Sequence, residues 1–208
     1  MLNLTFKSED GKRRCKWCKK SPELLRYHDT EWGVPIKNDQ RLFEKLCLEG
    51  FQSGLSWRII LAKRDNFRAA FYDFDFDRIS QFEAGDVDRL LCNKSIVRHR
   101  GKIEAVINNA KLVEKIVKSK GSLAAFFWYY EPRPTKINEP KIVVKTPESV
   151  ALSKDLKKMG WQFVGPTTVY SFMQAMGMVN DHVNGCDSHP RIARLRACFS
   201  RPILYSGK

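Results

Sequence analysis

Apolar residues recur along most of this chain at intervals of three and four, and no alternating strand pattern appears. The pattern predicts a succession of amphipathic helices and an all-α fold class. Ser21-Pro22-Glu23 is a helix start, with Ser21 as N-cap and Pro22 at the first position; Leu24, Leu25, Tyr27 and His28 follow, and Trp32-Gly33-Val34-Pro35 breaks the helix. Asp39 to Glu49 is a second helix with Leu42, Phe43, Leu46 and Cys47 on its buried face; Gly50 is expected to end it and Gly54 to allow a tight turn. Ser56 caps the next, which runs to Phe71 with Trp57 at its first position. Asp77 and Asp86 each look like N-terminal caps. Arg100 to Lys118 is a long helix closed by Gly121, and Ser122 opens the aromatic run Phe126 to Tyr130, which reads as core. Pro132, Pro134 and Pro140 make 131–145 a surface loop. Thr146-Pro147-Glu148 starts a helix that ends at Gly160, and Gly165-Pro166-Thr167 starts another carrying Val169, Phe172, Met173 and Met176. Residues 1–14 carry few apolar side chains and are expected to fray as a flexible basic extension. A single domain over 15–186, built as two helical lobes around a cleft, and a second basic extension over 187–208 complete the expected layout.

The 208 residues suffice for one domain or for two small lobes sharing a cleft. No apolar run approaches the roughly 18 residues of a membrane span, and Met1 to Arg14 lacks the apolar core of a secretory signal. The expected location is therefore intracellular, in the cytoplasm and nucleoid or in a eukaryotic nucleus, with no membrane partner. Charge changes the picture more. Lys and Arg number 37 against 23 acids, a formal +14, which points to a polyanionic partner, nucleic acid first. Both ends contribute: Lys12, Arg13, Arg14, Lys19 and Lys20 at one, Arg191, Arg194, Arg196, Arg201 and Lys208 at the other. With six cysteines and no export signal, Cys and His clusters read as metal ligands before disulfides.

Three constellations could carry chemistry. Leu48-Glu49-Gly50 and Gly54-Leu55-Ser56-Trp57 hold a carboxylate and an indole on the two sides of a glycine-bounded turn. A flat, cationic, hydrogen-bonding ligand suits that pair, one face on the indole and one edge on the carboxylate. Trp17, Tyr27 and Trp32 add stacking surface, although aromatics at helical spacing are also core material. The turn from Met159 to Thr168 presents free amides at Gly165 and Thr167 to the front of a helix, a seat for a phosphate. It resembles the helix-hairpin-helix element of DNA repair glycosylases. Lastly, Cys15 and His28 near one end and His182 and Cys186 near the other make a Cys2His2 set, the ligand count of a closed structural zinc site. Cys18 and His189 are rival ligands. His99 lacks a partner in sequence and reads as basic surface.

Taken together the residues resemble the 3-methyladenine DNA glycosylase I family, within the helix-hairpin-helix DNA glycosylase superfamily. The likeness rests on Cys15-Lys16-Trp17, Tyr27-His28-Asp29-Thr30-Glu31-Trp32-Gly33-Val34-Pro35, the Glu49 and Trp57 blocks, Arg98-His99-Arg100-Gly101-Lys102-Ile103, Val164-Gly165, Tyr170 to Ala175, and Val179-Asn180-Asp181-His182 to Cys186. It implies a helix-hairpin-helix fold, with the element itself over about 150–176, and a zinc clip at Cys15, His28, His182 and Cys186. It implies that Glu49, the residue to be tested as catalytic, and Tyr27 hydrogen-bond the excised base. Trp57 would stack on that base, and Trp17 and Trp32 would wall the pocket. The implied activity is monofunctional hydrolysis of the N-glycosidic bond of 3-methyladenine, without lyase activity, in double-stranded alkylated DNA. The expected enzyme is a monomer with no obligate protein partner. Asp181 belongs to the last block and is assigned no catalytic role. Leu24 stands where the family often has a second tyrosine and Phe51 where a polar residue is common. Two other readings stay open at this stage: a reader of alkylated DNA that does not cut, and a hydrolase whose zinc is catalytic.

Overall fold

A computed structural model describes residues 4–133 and 143–205 of the chain. It is mostly helical, with eleven α-helices among the described residues: α1 (Pro22–Thr30), α2 (Asp39–Gln52), α3 (Trp57–Ala62), α4 (Arg64–Ala70), α5 (Phe76–Ile79), α6 (Ala84–Cys92), α7 (Arg100–Lys120), α8 (Leu123–Trp128), α9 (Pro147–Lys158), α10 (Pro166–Ala175) and α11 (Ser188–Cys198). The start signals act as their chemistry requires. Ser21, Ser122 and Thr146 each accept the N–H three residues on, and Pro22, Pro147 and Pro166 fill the first helical position.

At the centre lies α2, packed against α3, α7, α8 and α10. Every residue from Leu42 to Phe51 is buried, including Glu44, Lys45 and Glu49. A helix covered on all sides must pair its charged groups, since an unpaired buried charge is costly. Glu44 accepts from Arg41 at 2.5 Å and Arg68 at 2.9 Å; the Lys45–Glu49 pair is taken up below. Around α2, Phe51, Phe67, Phe71 and Phe74 form an aromatic core, with the Phe51 and Phe67 rings 4.6 Å apart.

Several boundaries differ from the pattern. Gly50 does not end α2, which continues to Gln52. Its missing side chain serves packing instead, because a Cβ there would meet the Cβ of Phe163 at 3.3 Å. The helix expected from Ser56 to Phe71 breaks at Lys63 into α3 and α4, and Ser56 makes no side-chain cap. Asp75, not Asp77, caps α5, while Asp86 is the third residue of α6 in a capping box with Glu83. His99 is not loose surface: its ring accepts the Lys102 N–H at 3.3 Å and caps α7. The expected loop over 131–145 falls largely on residues outside those described.

The two ends differ most from an all-α reading. Thr5–Lys7 (β1) and Arg13–Cys15 (β2) pair antiparallel, with Thr5 opposite Cys15. Arg13 donates its N–H to Asp187 at 3.0 Å and accepts the Asp187 N–H at 2.9 Å, so β2 is tied to the start of α11. Helix α11 buries Ile192, and Arg191 donates to the Asp29 carbonyl at 2.6 Å. Arg196 and Arg201 both pair with Glu131. Arg14, only 6% exposed, is shared by Asp10 and Asp29. Arg14, Arg191, Arg196 and Arg201 are thus engaged within the molecule. These strands escape a period-two reading because each spans three residues.

Candidate functional site

Helix α1 presents two consecutive buried residues to two different places. Tyr27 reaches a cavity of about 120 Å³ also lined by Glu31, Lys45, Trp57, Arg64 and Met176, and His28 reaches a Cys/His cluster.

The indole of the carboxylate–indole pair lines this cavity, and Glu49 stands behind it, joined by a residue that sequence reasoning missed. Lys45 Nζ lies 2.7 Å from Glu49 Oε1, and both side chains are 7% exposed. The same ammonium donates to the Tyr27 hydroxyl at 2.8 Å and stands 3.3 Å from the centroid of the Trp57 ring. Tyr27 and Trp57 rings are 5.5 Å apart. One carboxylate, one phenol and one indole face thus converge on a single positive charge. Burial pushes the Tyr27 phenol well above its ordinary range, and the charge of Glu49 adds to it. Burial pulls the Lys45 ammonium down, against the opposing pull of Glu49. Trp57 Nε1 is buried with no acceptor among the described residues. The signal for Lys45 was present in sequence, four residues before Glu49 on one helix face. It was masked because a lysine in an apolar helix reads as surface.

Glu49, Trp17 and Trp32 are not among the residues lining this cavity. Glu49 meets it through Lys45. Trp17 packs edge-on against Trp32 at 5.0 Å and Tyr27 at 6.3 Å, and Trp32 edge-on against His182 at 4.6 Å, so this pair bridges the cavity wall and the Cys/His cluster. Phe51 belongs to the aromatic core, and Leu24 is buried without lining the cavity. Two carboxylates at the cavity are already engaged: Glu31 by the two terminal guanidinium nitrogens of Arg64, at 2.6 and 2.9 Å, and Glu44 by Arg41 and Arg68.

Cys15, His28, His182 and Cys186 are all buried, with ligand atoms within 4.8 Å of one another. The separations fit a metal. His28 Nε2 lies 3.1 Å from His182 Nδ1 and 3.4 Å from Cys186 Sγ, and His182 Nδ1 lies 3.7 Å from Cys186 Sγ and 3.9 Å from Cys15 Sγ. Those are edge lengths of a tetrahedron whose bonds are about 2.0–2.3 Å. The outward ring nitrogens are held as metal-bound imidazoles require: His28 Nδ1 by Asp29 at 2.8 Å, His182 Nε2 by the Trp32 carbonyl at 3.0 Å. The cluster can therefore hold a metal ion. Hydrogen bonding from Cys15, aided by His182 and His28, holds the Cys186 thiol far below its ordinary range. The rivals stand apart: Cys18 Sγ donates to the Cys15 carbonyl at 3.0 Å, and His189 is outside the set.

The turn between α9 and α10 is pinned from α7. Asn109 bonds the Gln162 N–H and carbonyl at 2.9 and 3.0 Å, and Asn108 bonds the Gly160 carbonyl at 2.9 Å. Gly160 and Phe163 hold positive φ, 92° and 54°. Gly165 caps α10 with no side-chain bond and has open space where a Cβ would be, and Thr167 is exposed. Asp181 is occupied, accepting from Tyr170 at 2.5 Å and Gln174 at 2.8 Å.

Comparison with known proteins adds an independent line. A family described as methyladenine glycosylase matches residues 17–189. DNA-3-methyladenine glycosylase 1 of Escherichia coli is 45% identical over 181 residues, 85% of this chain and 97% of that protein. DNA-3-methyladenine glycosylase of Haemophilus influenzae is 43% identical over 177 residues, 83% and 96% of the two chains. Among solved structures, a crystal structure of 3-methyladenine DNA glycosylase I superposes with a TM-score of 0.80 at 49% identity, covering 85% of this chain and all of that one. A tyrosine-to-phenylalanine variant of such an enzyme, in complex with 3-methyladenine, superposes with a TM-score of 0.78 at 38% identity, covering 85% and 97%.

Proposed function

The chain belongs to the methyladenine glycosylase family, and from that premise we propose that it excises 3-methyladenine from alkylated DNA by hydrolysing the N-glycosidic bond. The substrate is duplex DNA from which the damaged nucleotide is turned out into the cavity. In DNA the 3-methylated base is a cation with a weakened bond to the sugar, so a strong general acid is not required. Glu49 and Tyr27 take the hydrogen-bonding edge of the base, Trp57 its face, and Trp17 and Trp32 hold the wall behind. Each of these contacts is stronger with a cation than with neutral adenine, which is the source of selectivity. As positive charge moves from the base to the sugar C1′, Glu49 supplies the compensating charge nearby, and water completes the substitution. The observation that carries this reading is that Glu49, Tyr27 and the Trp57 face already converge on a positive charge, that of Lys45.

The turn over 159–168 takes the part of the hairpin in a helix-hairpin-helix element, with α9 and α10 as its arms and the amides at Gly165 and Thr167 seating a backbone phosphate. The open space at Gly165 and the uncapped helix front favour that role. The metal held by Cys15, His28, His182 and Cys186 is zinc in a structural role, since two thiolates and two imidazoles suit it and four protein ligands complete a tetrahedron. When bound, it joins the two ends of the chain. The protein acts as a monomer.

The test is Glu49→Gln, which preserves shape and removes charge. Release of 3-methyladenine from dimethyl-sulfate-treated DNA, read by chromatography, should fall by about a hundredfold. Unchanged release refutes the assignment of Glu49. Binding of the DNA without any freed base by the unaltered protein would instead support a non-cutting reader.

A further inference from the structure

Resting on the function just proposed, we infer that Lys45 is a tethered competitor for the base site: its ammonium holds Glu49 and the Trp57 face between turnovers, yields them to a cationic base, and reclaims them from the neutral product. The geometry is that of a cation already bound. Nζ is 2.7 Å from the Glu49 carboxylate, 2.8 Å from the Tyr27 hydroxyl and 3.3 Å from the centre of the Trp57 ring. At that last distance no purine can lie on the same face of the indole, because two stacked rings need about 3.5–4.0 Å between their own atoms. The base must therefore displace the ammonium.

The exchange depends on charge. A 3-methylated adenine still attached to the sugar brings one positive charge and replaces the one that leaves, so Glu49 is never left buried and alone. A neutral adenine offers no such replacement, and the carboxylate would lose its partner. Cleavage then reverses the balance. The bond from C1′ to the base nitrogen breaks, its electron pair departs with the base, and the cation becomes neutral 3-methyladenine. Water adds its oxygen to C1′ and gives its proton to solvent. The product no longer matches the site, while Lys45, anchored one helical turn from Glu49 on α2, does. Neighbouring carboxylates do not offer the lysine a better home, since Glu31 and Glu44 are held by Arg64, Arg41 and Arg68.

The measurement is the affinity of the metal-loaded full chain for free 3-methyladenine, by titration calorimetry, in the unaltered protein and in Lys45→Met, Lys45→Gln and Lys45→Arg. Methionine has similar reach without charge. Glutamine keeps a donor for Glu49 and guards against a variant that fails to fold for want of that bond. Loss of the competing cation should tighten binding by about tenfold in both neutral variants, whereas Lys45→Arg stays within about threefold of the unaltered protein. Unchanged or weaker binding in the neutral variants overturns the inference and makes Lys45 a support for Glu49 instead. Base release from methylated DNA by the unaltered protein is read in parallel. Release without tightening sinks only the role of Lys45; no release sinks the proposed function itself.

Discussion

Two buried polar clusters share helix α1 as a wall, Tyr27 on one and His28 on the other, and they solve the same problem differently. The Cys/His cluster points four ligand atoms inward at one another, and its outward nitrogens are held by Asp29 and the Trp32 carbonyl. All four of its ligand residues are buried. The Lys45–Glu49 cluster is also buried but borders a cavity, and its charge is balanced by one side chain, that of Lys45. On the proposals above, the first cluster serves the fold and the second, whose cation can be exchanged, serves a ligand.

The sharpest way to break this contrast is to remove the closed cluster. With His28→Ala, or with a strong chelator added to the unaltered chain, stability should fall by about 4 kcal/mol or more, measured by denaturant melting. The loss has two parts. The ion no longer joins segments more than 150 positions apart in sequence, such as His28 and His182, and the remaining ligands are left buried and unpaired. If the chelator leaves the midpoint unmoved and no metal is found in the purified chain, the cluster stands on hydrogen bonds alone.

A somewhat smaller effect tests whether the clusters are independent. Residues 33–36 run between them. The Trp32 carbonyl holds His182, while Val34 and Ile36 line the cavity. Gly177 locks this strip: its φ is +77°, and a Cβ there would stand 2.5 Å from Pro35 N and 2.7 Å from the Gly33 carbonyl oxygen. Those are backbone atoms that cannot swing aside, so Gly177→Ala should cost about 3 kcal/mol. It should also weaken 3-methyladenine binding, because Ala175 and Met176 belong to the cavity. Lost stability with unchanged binding would show that the cavity is insulated from the strip.

How far these features are legible in sequence follows the same division. The ligand set, Glu49, Tyr27 and Trp57 were named from residue type and from the family likeness, and the structure brings Glu49, Tyr27 and Trp57 around one point. Lys45 was not named. Helical periodicity marks which face is apolar but not that α2 is buried on every side, and only that makes a lysine there informative. Gly50 was misread for a related reason. Glycine in a helical pattern signals an end when local rules decide, yet here the close approach of Phe163 decides, a contact more than 100 positions away in sequence. The hairpin of β1 and β2 and helix α11 do not show in the periodicity because their partners are each other and the Cys/His cluster.

The smallest effect concerns the edge of the cavity, where fixed and exchangeable partners meet. Glu31 is held by Arg64 in a two-bond pair. Burial alone would raise the Glu31 carboxyl, but the bonds and charge of Arg64 outweigh it and leave it below its ordinary 4.5. A carboxyl depressed in the folded state stabilises the fold above its unfolded value and loses that contribution as pH falls through the folded one. The unaltered chain should therefore lose melting temperature on acidification below about pH 4.5, partly through this pair. In Arg64→Met burial is opposed only by the lesser charges of Arg41 and Arg68, and a buried carboxyl whose value is raised favours the fold when protonated. The variant should melt lower at pH 7 by about 3 °C, a modest figure because the pair is partly exposed. That gap should close as the pH is lowered. A gap that stays constant with pH would mean that Arg64 acts through its packing over the cavity, and that this edge belongs with the closed cluster and not with the exchangeable one.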